Sequence, residues 1–257
     1  MTTKSIAVVT GASQGIGRAT ALRLARDFSG VVLVARNKES LEETAIEVRS
    51  LGAEAMIYAV DLREPQSAKT VIGEALKRFG RIDALLNIAG AVPRTDLFQM
   101  TDAQWDDGMA LKLHGARRLT IQAWDALKAS KGSVVLMSGN AALDPRPGSA
   151  AVASINAAIN ALAKAFAEQG IKDGVQVNSV APGAVMTGRR RSFFESWAPA
   201  HNLSVEDAIQ KFPEKAGITR FGTPEEIADL MSYLLSPAAK WITGASVRMD
   251  GGEIKTI

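Results

Sequence analysis

The sequence predicts an α/β fold: a doubly wound parallel sheet of about seven strands with helices on both faces. Three observations predict it. Short β-rich apolar runs alternate with helical patterns along the whole chain. Several runs are almost continuously apolar, as Val31-Val32-Leu33-Val34 is, which suits strands covered on both faces. The first run ends in a glycine turn that opens straight into a helix.

The elements follow in order. The first strand is Ser5–Thr10, and a helical stretch near 15–28 follows its turn. Val31–Ala35 and Glu54–Ala59 are the next strands, separated by a helical stretch near 38–51. A helix near 64–79 leads to Ala84–Ile88. A long helical stretch near 101–130 carries Trp105, Met109, Lys112, Ala116, Leu119 and Ala123 at helical spacing, so Lys112 shares its inward stripe. Ser133–Met137 precedes a second long helix near 150–171, whose stripe is Val152, Ile155, Ile159, Leu162 and Phe166, with Asn156 on the same face. Val175–Ser179, a helix near 223–236 and Ala245–Met249 complete the order. Strand–helix–strand units of this kind make right-handed crossovers between parallel strands. One stretch breaks the rhythm. Residues 188–220 carry Arg189-Arg190-Arg191, then Phe193, Phe194 and Trp197, then a short amphipathic segment, and read as a lid over the carboxyl edge of the sheet. The arginine run itself reads as a solvated face ahead of an anion site. No repeat or linker divides the chain, so residues 1–257 are expected to form one domain.

Composition removes several function classes. The absence of cysteine excludes disulfides, thiolate catalysis and thiolate-bound metal, and two histidines leave little for a metal site, so none is expected. Thirty basic residues stand beside 27 acidic ones, for a net charge of only +3. No basic stripe with interleaved aromatics is present, so nucleic acid is not an expected partner. No run approaches the ~18 apolar residues of a membrane-spanning helix. Met1-Thr2-Thr3-Lys4 leads into the first strand without a signal pattern, so the cytoplasm is the expected location.

The chemistry begins at Thr10-Gly11-Ala12-Ser13-Gln14-Gly15-Ile16-Gly17. A tight strand-to-helix turn needs glycine for unusual backbone angles and for close approach to phosphate. The following helix offers free N–H groups and the positive end of its dipole. Ligands of doubly wound sheets bind at this edge. The residue ending the second strand then discriminates between dinucleotides. An acidic residue there would bond the ribose 2′-OH of NAD, whereas Ala35-Arg36-Asn37 offers a guanidinium for the 2′-phosphate of NADP. NADP(H) is therefore the expected cofactor, ahead of NAD(H).

The spacing Gly11-x-x-x-Gly15-x-Gly17 resembles the short-chain dehydrogenase/reductase family, and further marks follow along the whole chain. Asp61-Leu62 matches the pair that contacts adenine. Asn87-Ile88-Ala89-Gly90 resembles the family's N-N-A-G with its second Asn replaced. Asn178-Ser179-Val180-Ala181-Pro182-Gly183, with Val185 and Thr187 beyond, matches the segment bordering the nicotinamide. Arg220 to Glu226, and Ile242 to Gly252, match the C-terminal signature. The resemblance implies a Rossmann-like fold, NADP(H) held by Gly11, Ser13, Gln14, Gly15, Ile16, Gly17, Arg36, Asp61, Leu62, Asn87, Ala89, Gly90, Pro182, Gly183, Val185 and Thr187, a small-molecule substrate, and a homodimer or homotetramer built on the two long helices.

It also implies a proton-transfer tetrad of Asn, Ser, Tyr and Lys, and here the pattern fails. Counting from fixed landmarks, the four positions fall on Lys112, Gly139, Val152 and Asn156. The wider spacing of the family's enoyl-reductase variant puts Ser149 at the tyrosine position, and the two tyrosines, Tyr58 and Tyr233, lie elsewhere. The Asn and Lys positions have exchanged residue types. Lys112 thus either bonds Asn156 or the nicotinamide ribose, or snorkels to water. Ser138, beside the serine position, is the remaining hydroxyl, though alternation along a strand turns it to the other face. Lys112, Ser138 and Asn156 are the candidate catalytic residues. His114 is expected on a surface or interface, Asp144, Arg146 and Ser149 on a loop that is solvated rather than lining the substrate mouth, and His201 in the lid. Three functions compete: an oxidoreductase of unusual chemistry on an unidentified carbonyl or alcohol, a noncatalytic nucleotide-binding protein, and a structural subunit.

Overall fold

A computed structural model describes residues 5–255. Met1–Lys4, read above as the approach to the first strand, lie outside them. The strands are β1 (Ile6–Thr10), β2 (Gly30–Ala35), β3 (Glu54–Ala59), β4 (Ala84–Asn87), β5 (Ser133–Met137), β6 (Gln176–Pro182) and β7 (Ser246–Met249). Between them run α1 (Gly15–Leu24), α2 (Lys38–Ser50), α3 (Pro65–Phe79), α4 (Asp102–Gly108), α5 (Gly115–Ser130), α6 (Ala150–Asp173), α7 (Gly188–Trp197), α8 (Val205–Ala216) and α9 (Pro224–Leu235).

The strands form one parallel sheet in the order β3-β2-β1-β4-β5-β6-β7. The chain winds outward from β1 through β2 to β3, then returns through α3 to β4 on the other side. That reversal opens a crevice between the carboxyl ends of β1 and β4. Successive residues of β1 serve opposite faces. Val8 packs with Leu85, Val71, Leu119 and Ile159 beneath α3, α5 and α6. Val9 packs with Leu33, Leu24, Leu41 and Met231 beneath α1, α2 and α9. Two cores on one sheet are the reason for the uninterrupted apolar runs.

Several features depart from the expectations. The helix after β1 stops at Leu24, and β6 extends to Pro182. The long helix over 101–130 is interrupted, because a π-helical turn, Met109–His114, separates α4 from α5. Residues 188–220 hold two helices, α7 and α8, around a separate apolar cluster of Phe194, Ala198, Ala208 and Phe212. The expectation about apolar runs also needs correction: Pro147–Asp173 is, by length and composition, apolar enough to cross a membrane. Its Ile155, Ile159, Ala163 and Ala167 are buried, as in a core helix that uses alanine to approach a sheet closely.

Candidate active site

Thr10 locks the crevice at its base. Its hydroxyl accepts from the Ile88 and Ala89 N–H groups at 2.9 and 3.0 Å and donates to the Leu86 carbonyl at 3.3 Å. The chain then turns through Gly11 at φ +70°, in the left-handed region that favours glycine. A Cβ on Gly17 would lie 2.1 Å from the Gly11 carbonyl oxygen, so α1 starts against the turn only because Gly17 has none. Gln14, at the N-cap, makes no side-chain cap. The first N–H groups of α1 are left without a side-chain acceptor, a ready anion site.

This turn forms one wall of a cleft of about 430 Å³. Gly11, Ser13, Gln14, Gly15, Ile16 and Gly17 line it, with Arg36 after β2, Leu62 after β3, Ala89 and Gly90 after β4, and Pro182 and Thr187 after β6. Four expected residues lie elsewhere. The Asp61 carboxylate accepts from the Arg63 amide at 3.0 Å and its guanidinium at 3.2 Å, and is absent from the lining. Asn87 is buried below the floor, its amide donating to Thr120 Oγ1 at 3.1 Å and its Oδ1 without a partner. Gly183 and Val185 line a second, adjoining cleft instead. Arg36 is largely exposed, its guanidinium 4.0 Å from Asp61 Oδ2 at the rim of the first cleft.

The second cleft has about 390 Å³, and Ile16, Gly90, Lys112, Thr187 and Arg189 line both. Lys112 therefore stands at the seam. The π-helical turn carries it there, and Gly90 makes room: a Cβ on Gly90 would lie 3.0 Å from Lys112 Cδ. Lys112 Nζ donates to Asn156 Oδ1 at 2.5 Å and to the Ser138 carbonyl at 3.1 Å. Of the two readings of Lys112, the inward one holds, with Asn156 as its partner. Burial, reinforced by Arg189, lowers its pKa from 10.5 to about 8.

Ser138 differs from expectation. Val134 and Leu136 face the core beneath α6, and Ser138 continues that phase: its hydroxyl faces α6, donating to the Asn156 carbonyl at 3.0 Å, while the residue lines the first cleft. Ser138 thus positions Asn156. Gly139 has extended backbone, so its lack of a side chain matters for space alone: a Cβ would lie 2.8 Å from Asn156 Nδ2. Val152 lines the second cleft. Neither lining includes a tyrosine, histidine, aspartate or glutamate. Tyr58 lies in β3, packed against the core beneath α3, and Tyr233 is exposed on α9. Ser149 is absent from both linings, its hydroxyl facing the Arg146 carbonyl at 3.3 Å. His201 stacks on Trp197 at 3.9 Å and also stands outside both clefts. Half-buried His114 has an unpartnered Nδ1, and burial, with Arg117 and Arg118, lowers its pKa.

The sequence reading missed two arginines. Thr187 caps α7, accepting from the Arg190 amide at 3.2 Å, and so sets Arg189 and Arg190 in the first turn of α7, against the second cleft. Arg189 donates to the Gly90 carbonyl at 2.8 Å, and Arg190 lies over the Phe212 ring at 5.4 Å. Only Arg191 takes the expected solvated position, with Glu195 and Glu206. The signal was the pairing of a Thr cap with aromatic residues just beyond.

Residues 11–253 match the family model described as Enoyl-(Acyl carrier protein) reductase. A probable 2,4-dienoyl-CoA reductase [(2E)-enoyl-CoA-producing] of Bacillus subtilis (strain 168) is 32% identical over 255 residues, covering 97% of this chain and 96% of that one. The L-sorbose reductase of Gluconobacter frateurii, crystallised with NADPH and L-sorbose, superposes with a TM-score of 0.94 at 28% identity, covering 99% and 98% of the two chains. An actinorhodin polyketide ketoreductase variant crystallised with NADPH gives 0.92 at 28% identity, with 97% of each chain covered.

Proposed function

The chain belongs to the short-chain dehydrogenase/reductase family, and we propose that it is an NADP(H)-dependent oxidoreductase whose proton transfer rests on Lys112 rather than on a phenol. The observation that carries this reading is the seam: Lys112, half-buried and hydrogen-bonded, lines both clefts. The first cleft fits a dinucleotide on its own features. Its turn has no room for a Cβ at Gly17, and its helix N-terminus is uncapped. Two relatives of the same fold were crystallised with NADPH.

In this reading the turn from Gly11 to Gly17 holds the pyrophosphate, Arg36 the 2′-phosphate and Leu62 the adenine, with Asp61 fixing Arg36 and Arg63 beside them. Ala89 and Gly90 receive a ribose, Asn87 supports them from below, and Pro182, Gly183, Val185 and Thr187 border the nicotinamide. When bound there, NADPH supplies a hydride for a carbonyl carbon. Lys112 in its ammonium form polarises the carbonyl oxygen and gives it a proton. In its amine form it takes a proton from an alcohol. A pKa of about 8 suits both directions near neutral pH. Asn156 and the Ser138 carbonyl hold Nζ in place, and α7 and α8 cover the substrate. The family's Asn, Ser, Tyr and Lys positions are those of Lys112, Gly139, Val152 and Asn156. The reading includes a cytoplasmic homo-oligomer joined through α5 and α6.

The test is NADPH oxidation across a panel of aldehydes and ketones. Turnover that falls about tenfold per pH unit above pH 8 is expected. The absence of any phenol from both linings favours a second reading, a noncatalytic NADP(H)-binding protein. Tight NADPH binding with no turnover anywhere on the panel would select it. Cofactor choice has its own test. Arg36→Ala should weaken NADPH binding about 10- to 100-fold, the worth of a charge-assisted phosphate contact, and leave NADH binding nearly unchanged. Equal weakening of both would remove Arg36 from the 2′-phosphate site.

A further inference from the structure

The second cleft gathers positive charge without balancing it. Arg94, Lys112, Arg189 and Arg190 line it, and no Asp or Glu does. Their partners are neutral: Asn156 and Ser138 for Lys112, the Gly90 carbonyl for Arg189, the Phe212 ring for Arg190. Arg94 makes no ion pair or hydrogen bond among the described residues. Arg190 feels the Glu253 carboxylate, but Glu253 Oε2 already accepts from the Ala184 amide at 3.0 Å and Asn140 Nδ2 at 3.2 Å. The cations also oppose one another. Arg189 works against the charge on Lys112, and Arg94 against that on Arg190. Burial disfavours the charged forms of Lys112, Arg189 and Arg190, and cations held together in this way are unfavourable until an anion joins them. Apart from Thr187, the other side chains of the wall are apolar: Ile16, Val92, Val152, Val185 and Phe193.

We propose that this cleft takes a substrate with an oxyanion, carboxylate or phosphate, on a short apolar body, gripped by Arg94 and Arg190 with its reacting end turned to Lys112. The proposal rests on the reading of the first cleft as the dinucleotide site. Two guanidinium forks suit a planar carboxylate or a phosphate, and the apolar wall suits the carbon body. Arg94 and Arg190 line the second cleft alone, which separates them from the phosphates of a dinucleotide.

The experiment is calorimetric titration of the full-length protein, first with NADPH, then of the NADPH-saturated protein with 3-phenylpropanoate, phenyl phosphate and the neutral 3-phenylpropanamide. At least one anion should bind tenfold or more tighter than the amide, and the stronger of the two identifies the headgroup. Arg94→Gln and Arg190→Gln should each weaken that anion about tenfold with NADPH affinity unchanged. Arg94 is exposed on a loop, so its variant keeps the test open should Arg190→Gln disturb the packing on Phe212. Equal binding of anion and amide, anion binding indifferent to both substitutions, or displacement of NADPH by the anion would each overturn the proposal. Anion binding to a protein that does not take up NADPH would support the anion site and overturn the dinucleotide reading.

Discussion

Gly17→Ala should destabilise the fold by about 2–3 kcal/mol, lower the melting temperature by about 5–10 °C and weaken NADPH binding at least about 100-fold. The added Cβ would meet the Gly11 carbonyl oxygen at 2.1 Å and its carbon at 2.6 Å. Both are backbone atoms of a turn tied down on either side. The Gly11 amide bonds the Val34 carbonyl at 2.8 Å, and Thr10 bonds the start of the β4 loop. The clash cannot be relieved by a rotamer change, so the turn itself must move. The N–H groups it aims at the phosphates move with it, and a site accurate to about half an ångström is lost. Gly73 provides the contrast. It is exposed in the middle of α3 with nothing near its missing Cβ, so Gly73→Ala should stabilise by about 0.5–1 kcal/mol through helix propensity alone. Thermal melts and NADPH titrations of the two variants side by side check both. Gly17→Ala with wild-type melting and affinity would mean the turn is not built this way.

The second large effect concerns Lys112. Burial lowers its pKa in the folded protein from 10.5 to about 8. Below pH 8 it is protonated in both folded and unfolded chains, and the folded state carries the full penalty of a buried cation. Between pH 8 and 10.5 the unfolded chain holds more protons than the folded one, so stability rises with pH. The whole window is worth about 3 kcal/mol. Lys112→Met removes the titration. Wild-type stability should therefore gain about 3 kcal/mol over Lys112→Met between pH 8 and 10.5, read from denaturant midpoints at several pH values. A flat difference would show that Lys112 is solvated. In the proposed reaction the same substitution should cut turnover about 10²- to 10⁴-fold. Lys112→Arg separates charge from titration: it keeps the cation, and its turnover should lose the inflection near pH 8.

Much of this was legible in the sequence. The inner strands β1, β2, β4 and β5 coincide with apolar runs to within a few residues, because burial on both faces leaves no room for polar alternation. The facing of Lys112 and Asn156 followed from helical spacing on two long helices. Other features were not legible. The π-helical turn over Met109–His114 depends on partners far along the chain, such as Gly90 beneath the Lys112 stem. Asp61 turns from the cleft because Arg63, two residues on, captures it. The Arg189-Arg190-Arg191 run looked like a solvated face because a charge run carries no sign of where a helix begins; the Thr187 cap decides that.

The space beside Gly139 bears on how this protein's sequence can change. A serine there would place its Cβ 2.8 Å from Asn156 Nδ2, and Asn156 in turn grips Lys112. A lysine at 156, introduced alone, would set a second ammonium against the first. An asparagine at 112, introduced alone, would strip Asn156 of its donor. The three positions are thus mutually conditional, and a change at any one of them is opposed by the residues still in place at the others. Single substitutions there are each penalised by their neighbours, so positions 112, 139 and 156 are free to change only together.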